Sequence, residues 1–162
     1  MRRADPLPEL EELYREGFAR FLRVAQAVTG DRESARDAVQ EGFFKAIRHR
    51  RSFRGRGPLE AWVWRIVLNE ARHAGRRPLD LTVEAERESA NGNGDSGDEE
   101  ERLRVAVSAL PERQRLVLFL RYYADLDYAA IALALGIERG TVSATLSAVH
   151  ASLRRALTEA PM

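Results

Sequence analysis

The segment DLDYAAIALALGIERGTVSATLSAVHASLRRAL, residues 125–157, constrains this chain more than any other. Asp127 stands where its carboxylate can cap the first amides of a short helix over 128–135. Gly136 follows, a residue that readily takes the left-handed conformation ending a helix. Ile137 is placed to plug the corner. Beyond it Val142, Leu146, Val149 and Leu153 fall at steps of four, three and four, one buried stripe of a second helix. The opposite side carries Thr141, Ser143, Thr145 and Ser147, polar groups small enough to approach base edges in a major groove. This is the pattern of a helix-turn-helix. It is also the pattern of an ordinary pair of amphipathic helices, so by itself it leaves DNA binding and plain packing both open.

The rest of the chain also reads as helix. Over 8–30, Leu10, Leu13, Phe18, Phe21, Ala25 and Val28 recur at helical spacing, and Gly30 ends the run. Asp31 can cap a second helix over 32–50, with Ala35, Val39, Phe43 and Ala46 inward. SFRGRG, residues 52–57, is a loop. Pro58 suits the first turn of a third helix reaching Ala74, whose apolar residues are Leu59, Trp62, Val63, Ile66 and Val67. Helical pattern resumes over 100–109, breaks at Leu110-Pro111 and continues over 112–123. Nothing reads as a strand. The expected fold is all-α: two small helical domains, residues 1–79 and 100–162, joined by residues 80–99.

That joining segment includes ESANGNGDSGDEE, with little to bury, and reads as a flexible linker. It also explains an uninformative net charge of +1. Residues 1–79 hold 17 basic and 11 acidic side chains, residues 80–102 hold 2 and 9, and residues 103–162 hold 7 and 5. Two basic parts around an acidic segment suit a protein that meets nucleic acid at both ends.

Other classes are disfavoured. Cysteine is absent, so neither a disulfide framework nor a thiolate zinc site is possible. His49, His73 and His150 lack metal-ligand spacing. No glycine-rich phosphate loop follows a strand, and no serine sits in a nucleophile motif. Paired acids such as Glu11-Glu12 look solvated. No apolar run approaches the roughly 20 residues of a membrane span, and the start turns acidic after two arginines, unlike a secretory signal. A soluble, cytoplasmic, non-enzymatic protein without a metal or cofactor is expected.

Three pieces then join into one pattern. LPERQRLVLFLRYYADLDYAAIALALGIERGTV resembles the domain by which extracytoplasmic-function (ECF) sigma factors, small members of the bacterial sigma-70 family, read the minus-thirty-five promoter element. ARDAVQEGFFKAI and FRGRGPLEAWVWRIVLNEARHAGRR resemble the domain that binds polymerase core and melts the minus-ten element. The resemblance runs from about Leu13 to Leu157. It implies three partners: core RNA polymerase, through its large clamp subunit and flap; promoter DNA; and an anti-sigma protein. It implies that polymerase, not this chain, performs the nucleotidyl transfer.

The resemblance also implies roles for residues. Asp37, Gln40 and Glu41 match the positions that grip the clamp helices, with Phe44 beside them. These four share one side of a helix, which without the resemblance would read as a solvated face. Of Phe43 and Phe44, one is expected in the core and one near the interface. Trp62, Trp64, Arg65 and Asn69 match the minus-ten segment. Trp62 shares a stripe with Ile66 and is expected in the core. Trp64 and Arg65 lie off that stripe, where an aromatic can stack on an unpaired base for roughly 1–3 kcal/mol. The other reading of Trp64 is packing beneath the 52–57 loop. Asn69 can present a donor and an acceptor together, and Arg72, Arg76 and Arg77 would follow the phosphates. The minus-thirty-five face would comprise Arg139, Thr141, Ser143, Ala144, Thr145, Ser147 and Ala148.

The chain departs from the family pattern in places. Ser143, Thr145 and Ala148 stand where Lys or Arg is usual, leaving Arg139 at one end of the recognition helix and Arg154 and Arg155 at the other. Glu138 replaces a common Ser cap, Ala129-Ala130 an acidic pair, and Arg36 an often acidic residue. Two readings compete with a sigma factor: a stand-alone helix-turn-helix regulator acting without polymerase core, and a protein–protein adaptor. Both leave the Asp37–Glu41 and Trp62–Arg77 patterns accidental.

Overall fold

Helix-ending and helix-starting residues set the architecture. The structure, a computed structural model, describes residues 4–74 and 96–159. Among the described residues it holds seven α-helices and no strand: α1 Leu7–Thr29, α2 Arg32–Arg48, α3 Leu59–Ala74, α4 Ser96–Ser108, α5 Glu112–Tyr122, α6 Tyr128–Leu135 and α7 Arg139–Thr158. A short 3₁₀ turn, Arg50–Ser52, follows α2.

Local chemistry explains most boundaries. Gly30 closes α1 with φ 86°, its amide bonding to the Gln26 carbonyl. Asp31 then accepts the Ser34 amide at 2.7 Å and opens α2. Asp127 does the same for α6, accepting from Ala130 at 2.8 Å. Gly136, φ 66°, ends α6, and the Ile137 amide bonds to the Ala132 carbonyl. The chain turns there through 104° into α7, within the range of a helix-turn-helix. Helix α4 begins at Ser96, four residues inside the segment expected as linker. Asp98 and Glu99 fall in its first turn, where their charges favour the positive end of the helix dipole. The remainder of that segment, 80–95, lies outside the described residues.

Helices α1–α3 form one unit around Phe21, Phe43 and Trp64. Phe21 stacks on Trp64 with centroids 3.9 Å apart and meets Phe43 edge-on at 5.0 Å. Gly42 lets α2 and α3 touch backbone to backbone: a Cβ there would fall 2.9 Å from the Val67 Cα. Lys45 of α2 bonds to Glu70 of α3, which raises the pKa of its ammonium group. Helices α4–α7 form the second unit. The two do not stand apart. Leu116, Val117, Leu120, Leu126 and Ile131 continue the buried core that starts in α1–α3, and α6 packs along α3.

Candidate polymerase and promoter surfaces

On α2, the period of the helix divides core from surface. Ala35, Ala38, Val39, Gly42, Phe43 and Ala46 are buried. Asp37, Gln40, Glu41 and Phe44 are exposed together on the other side. Phe43 is the core phenylalanine, and Phe44 is 58% exposed. An aromatic held in water among two carboxylates and an amide is the composition of a protein-docking face, with an apolar anchor and polar rim.

On α3 the expectation for the tryptophans is overturned. Trp64 does not face DNA: it is fully buried, stacked on Phe21, with its indole N–H donated to Glu60 Oε1 at 3.3 Å. The 52–57 loop meets the other tryptophan through Phe53. Trp62, expected in the core, is only half-buried and leans on Phe53 of that loop at 5.4 Å. The physical reason is that α3 is a central helix. Val63 and Val67 are buried along with Ala61, Trp64, Leu68 and Ala71, so two stripes point inward and a one-sided reading takes the wrong phase. Trp64 is therefore a core residue, and Trp62 is the more accessible aromatic.

Arg65, Asn69 and Arg72 are all exposed, spaced four and three apart along one stripe of α3. Arg65 and Arg72 lie beside the second unit. A Cβ at Gly136 would come 3.7 Å from Arg65 Nη2, and Arg72 Nε lies 3.7 Å from Glu112 Oε1. Arg76 and Arg77 lie outside the described residues.

Helix α7 buries Val142, Leu146 and Val149 and half-buries Leu153, as its spacing requires. Arg139, Thr141, Ser143, Ala144, Ser147 and Ala148 are exposed. Thr145 is half-buried and donates its hydroxyl to the Thr141 carbonyl at 2.6 Å, so it offers DNA a methyl and acceptor lone pairs but no donor. Arg154 and Arg155 are exposed near the far end. Glu138 precedes the helix without making a side-chain cap.

Several residues that shape these surfaces carried no sequence signal. Arg115 of α5 is buried and donates Nη1–H to the Ser108 carbonyl at 2.8 Å, fastening the end of α4. Its Nε has no partner, and burial lowers its pKa. Arg20, Arg23, Tyr123 and Leu133, which join the two units, read in sequence as ordinary helix-surface residues. Among the described residues no cluster of His, Asp or Glu could hold a metal ion, and no single helix is long and apolar enough to cross a membrane.

The two helical units correspond to two known sequence families in order: Sigma-70 region 2 over residues 13–78 and Sigma-70, region 4 over residues 100–159. The chain is 33% identical over 144 residues to the RNA polymerase sigma-H factor of Pseudomonas aeruginosa, spanning 78% of this chain and 75% of that protein. It is 27% identical over 158 residues to the ECF RNA polymerase sigma factor SigE of Mycolicibacterium smegmatis, spanning 91% of this chain and 61% of that one. Its fold is similar to that of the sigma factor RpoE from Bartonella quintana, solved with the anti-sigma factor NepR: TM-score 0.70 and 20% identity, covering 94% of this chain and 99% of that one. The chain belongs to the sigma-70 family, among its ECF sigma factors.

Proposed function

We propose that this chain binds core RNA polymerase and directs it to specific promoters, with the work divided between three helices. The α2 face of Asp37, Gln40, Glu41 and Phe44 meets the clamp of the large polymerase subunit. The α3 stripe of Arg65, Asn69 and Arg72, with Arg76 and Arg77 beyond it, meets the minus-ten element. The exposed side of α7, from Arg139 to Ala148, enters the groove of the minus-thirty-five element. Residues 1–79 form the core-binding and melting domain, and the helix-turn-helix domain begins at α4. The chain supplies no catalysis; its partners are core polymerase, promoter DNA and an anti-sigma protein.

One observation carries this reading. Matches to both sigma regions, in order, fall on two helical units whose exposed faces hold the residues each role needs. Charge and geometry agree with the division. Guanidinium groups on α3 suit phosphates, Asn69 suits a base edge, and the small side chains of α7 let a helix approach the groove floor closely. The test is co-elution with core polymerase, followed by a gel shift of promoter DNA with and without core. A stable complex, and a specific shift that needs core, is the expected result. A specific shift by the chain alone, without co-elution, would overturn it in favour of a stand-alone regulator.

A further inference from the structure

What a groove-reading helix can distinguish follows from the groups it presents. Guanine is read by the paired donors of Arg or Lys, adenine by the amide of Asn or Gln, and cytosine by an accepting Asp or Glu. Between Arg139 and Arg154, α7 carries none of these residues. Its inward side holds Val142, Leu146 and Val149. On the opposite side lie Ala144, Ala148 and Ala151, all exposed, at steps of four and three.

The polar groups beside the alanines are constrained in their turn. Thr145 spends its hydroxyl proton on the Thr141 carbonyl, which leaves its methyl and lone pairs to a ligand. His150 is held by Tyr122 of α5, whose hydroxyl lies 2.8 Å from Nε2. That contact marks the edge of α7 next to α5. Arg139 lies on the same edge, about three turns earlier, and Arg154 about one turn later. These two cations stand about 22 Å apart along the axis, at the rim of the face, where they meet phosphates rather than bases. Arg155 continues the line of alanines, but at the far end of the helix, whereas the N-terminal part of a recognition helix meets the base edges. Ser143 and Ser147 keep free hydroxyls, which bond to any base and discriminate little.

We propose that α7 selects its minus-thirty-five element through thymine methyl groups: the DNA it accepts is rich in T·A pairs, with thymines against Ala144 and Ala148, and has no position that depends on guanine. The inference rests on the sigma-factor reading and names the class of DNA that the helix-turn-helix takes. The C5 methyl of thymine is the major-groove feature that an apolar side chain can read. An alanine methyl reaches it only when the helix lies close to the groove floor, and no long side chain in the middle of this face holds the helix away. Arg139, Arg154 and Arg155 then fix the register on phosphates and add affinity that carries no sequence.

The test uses core polymerase with the full chain, on a promoter located by the transcript starts that the chain confers. In one set of duplexes each minus-thirty-five thymine is replaced in turn by deoxyuridine, which removes only the C5 methyl. In another each guanine there is replaced by 7-deazaguanine, which removes the N7 acceptor. Promoter affinity should fall by about fourfold for each contacted thymine, the worth of burying one methyl group, and by less than about twofold with 7-deazaguanine. Equal affinity for uracil and thymine duplexes would mean that groove shape selects the element, and would overturn the proposal. A loss of about tenfold with 7-deazaguanine would overturn it too, since a bidentate cation would then be reading guanine. On the protein side, Ala144→Gly and Ala148→Gly each remove one methyl, and in each variant the uracil penalty should shrink at one position and persist at the others. A penalty unchanged at every position in both variants would assign the methyl contacts to another element and contradict the proposal. If the chain conferred no transcript starts on core, the sigma-factor reading itself would fail, and this proposal with it.

Discussion

The two candidate DNA faces are opposites. The α3 stripe is rich in cations, carrying Arg65 and Arg72, but lies beside the neighbouring unit. The α7 face is open to solvent but has no cation between Arg139 and Arg154. Phosphate contacts supply most non-specific affinity for DNA, so the face able to bind tightly is flanked by the neighbouring unit and the fully open face is weak. Such a molecule should ignore DNA on its own and acquire affinity through a partner. The difference also separates two kinds of specificity. Helix α3 offers an amide and guanidinium groups, whereas α7 offers methyls and hydroxyls that read thymine methyls and groove shape.

The largest effect that sharpens this comparison lies beneath α3. Trp64→Ala removes the ring stacked on Phe21 and should destabilise the fold by about 3–5 kcal/mol, as large-to-small changes of buried aromatics do. Trp62→Ala, at a half-buried site, should cost clearly less. Denaturant unfolding of the two variants checks the ranking, and the reverse order would return Trp64 to the DNA surface.

Next comes the face that neither DNA surface uses. Asp37→Arg with Glu41→Arg reverses two exposed charges on α2 and should weaken core binding by several kcal/mol without unfolding the chain. Titration against labelled core measures it. Unchanged affinity at moderate salt would remove α2 from the interface.

On α3, Asn69→Ala should leave core binding intact and reduce promoter melting, seen as permanganate reactivity in the minus-ten element, by an amount equivalent to about 1–2 kcal/mol. Equal melting by variant and parent would take Asn69 out of the site.

On α7 the expected effect is smallest and shows as a slope. With Arg139, Arg154 and Arg155 engaging about three phosphates, log affinity for minus-thirty-five DNA should fall with log salt at roughly −2.7. Ala148→Arg should steepen that slope by about one or change base preference at one position. A parent slope steeper than about −5 would mean that other cations reach the DNA.

Much of the fold was legible because its punctuation is local. Asp127 and Gly136 bracket α6 at the residues where it begins and ends, and Gly30-Asp31 divides α1 from α2. The α2 face was legible because α2 is buried on one side only. Helix α3 was not, because a helix packed on both sides loses the one-sided period that reveals phase, so Trp64 is the buried tryptophan and Trp62 the partly exposed one. The start of α4 was hidden by an acidic run that serves equally as linker and as first turn. The junction between the units was invisible for another reason. Arg20 bonds to a backbone carbonyl 104 residues away, and a backbone acceptor leaves no trace in the identity of Ala124.

The central claim, that this chain gives core polymerase its promoters, is tested most directly by mapping transcript 5′ ends made in vitro from genomic DNA by core polymerase with and without the chain. The account predicts a small set of sharp starts that appear only with the chain and vanish with Asp37→Arg/Glu41→Arg. The same starts from core alone, or none with the chain present, would contradict it.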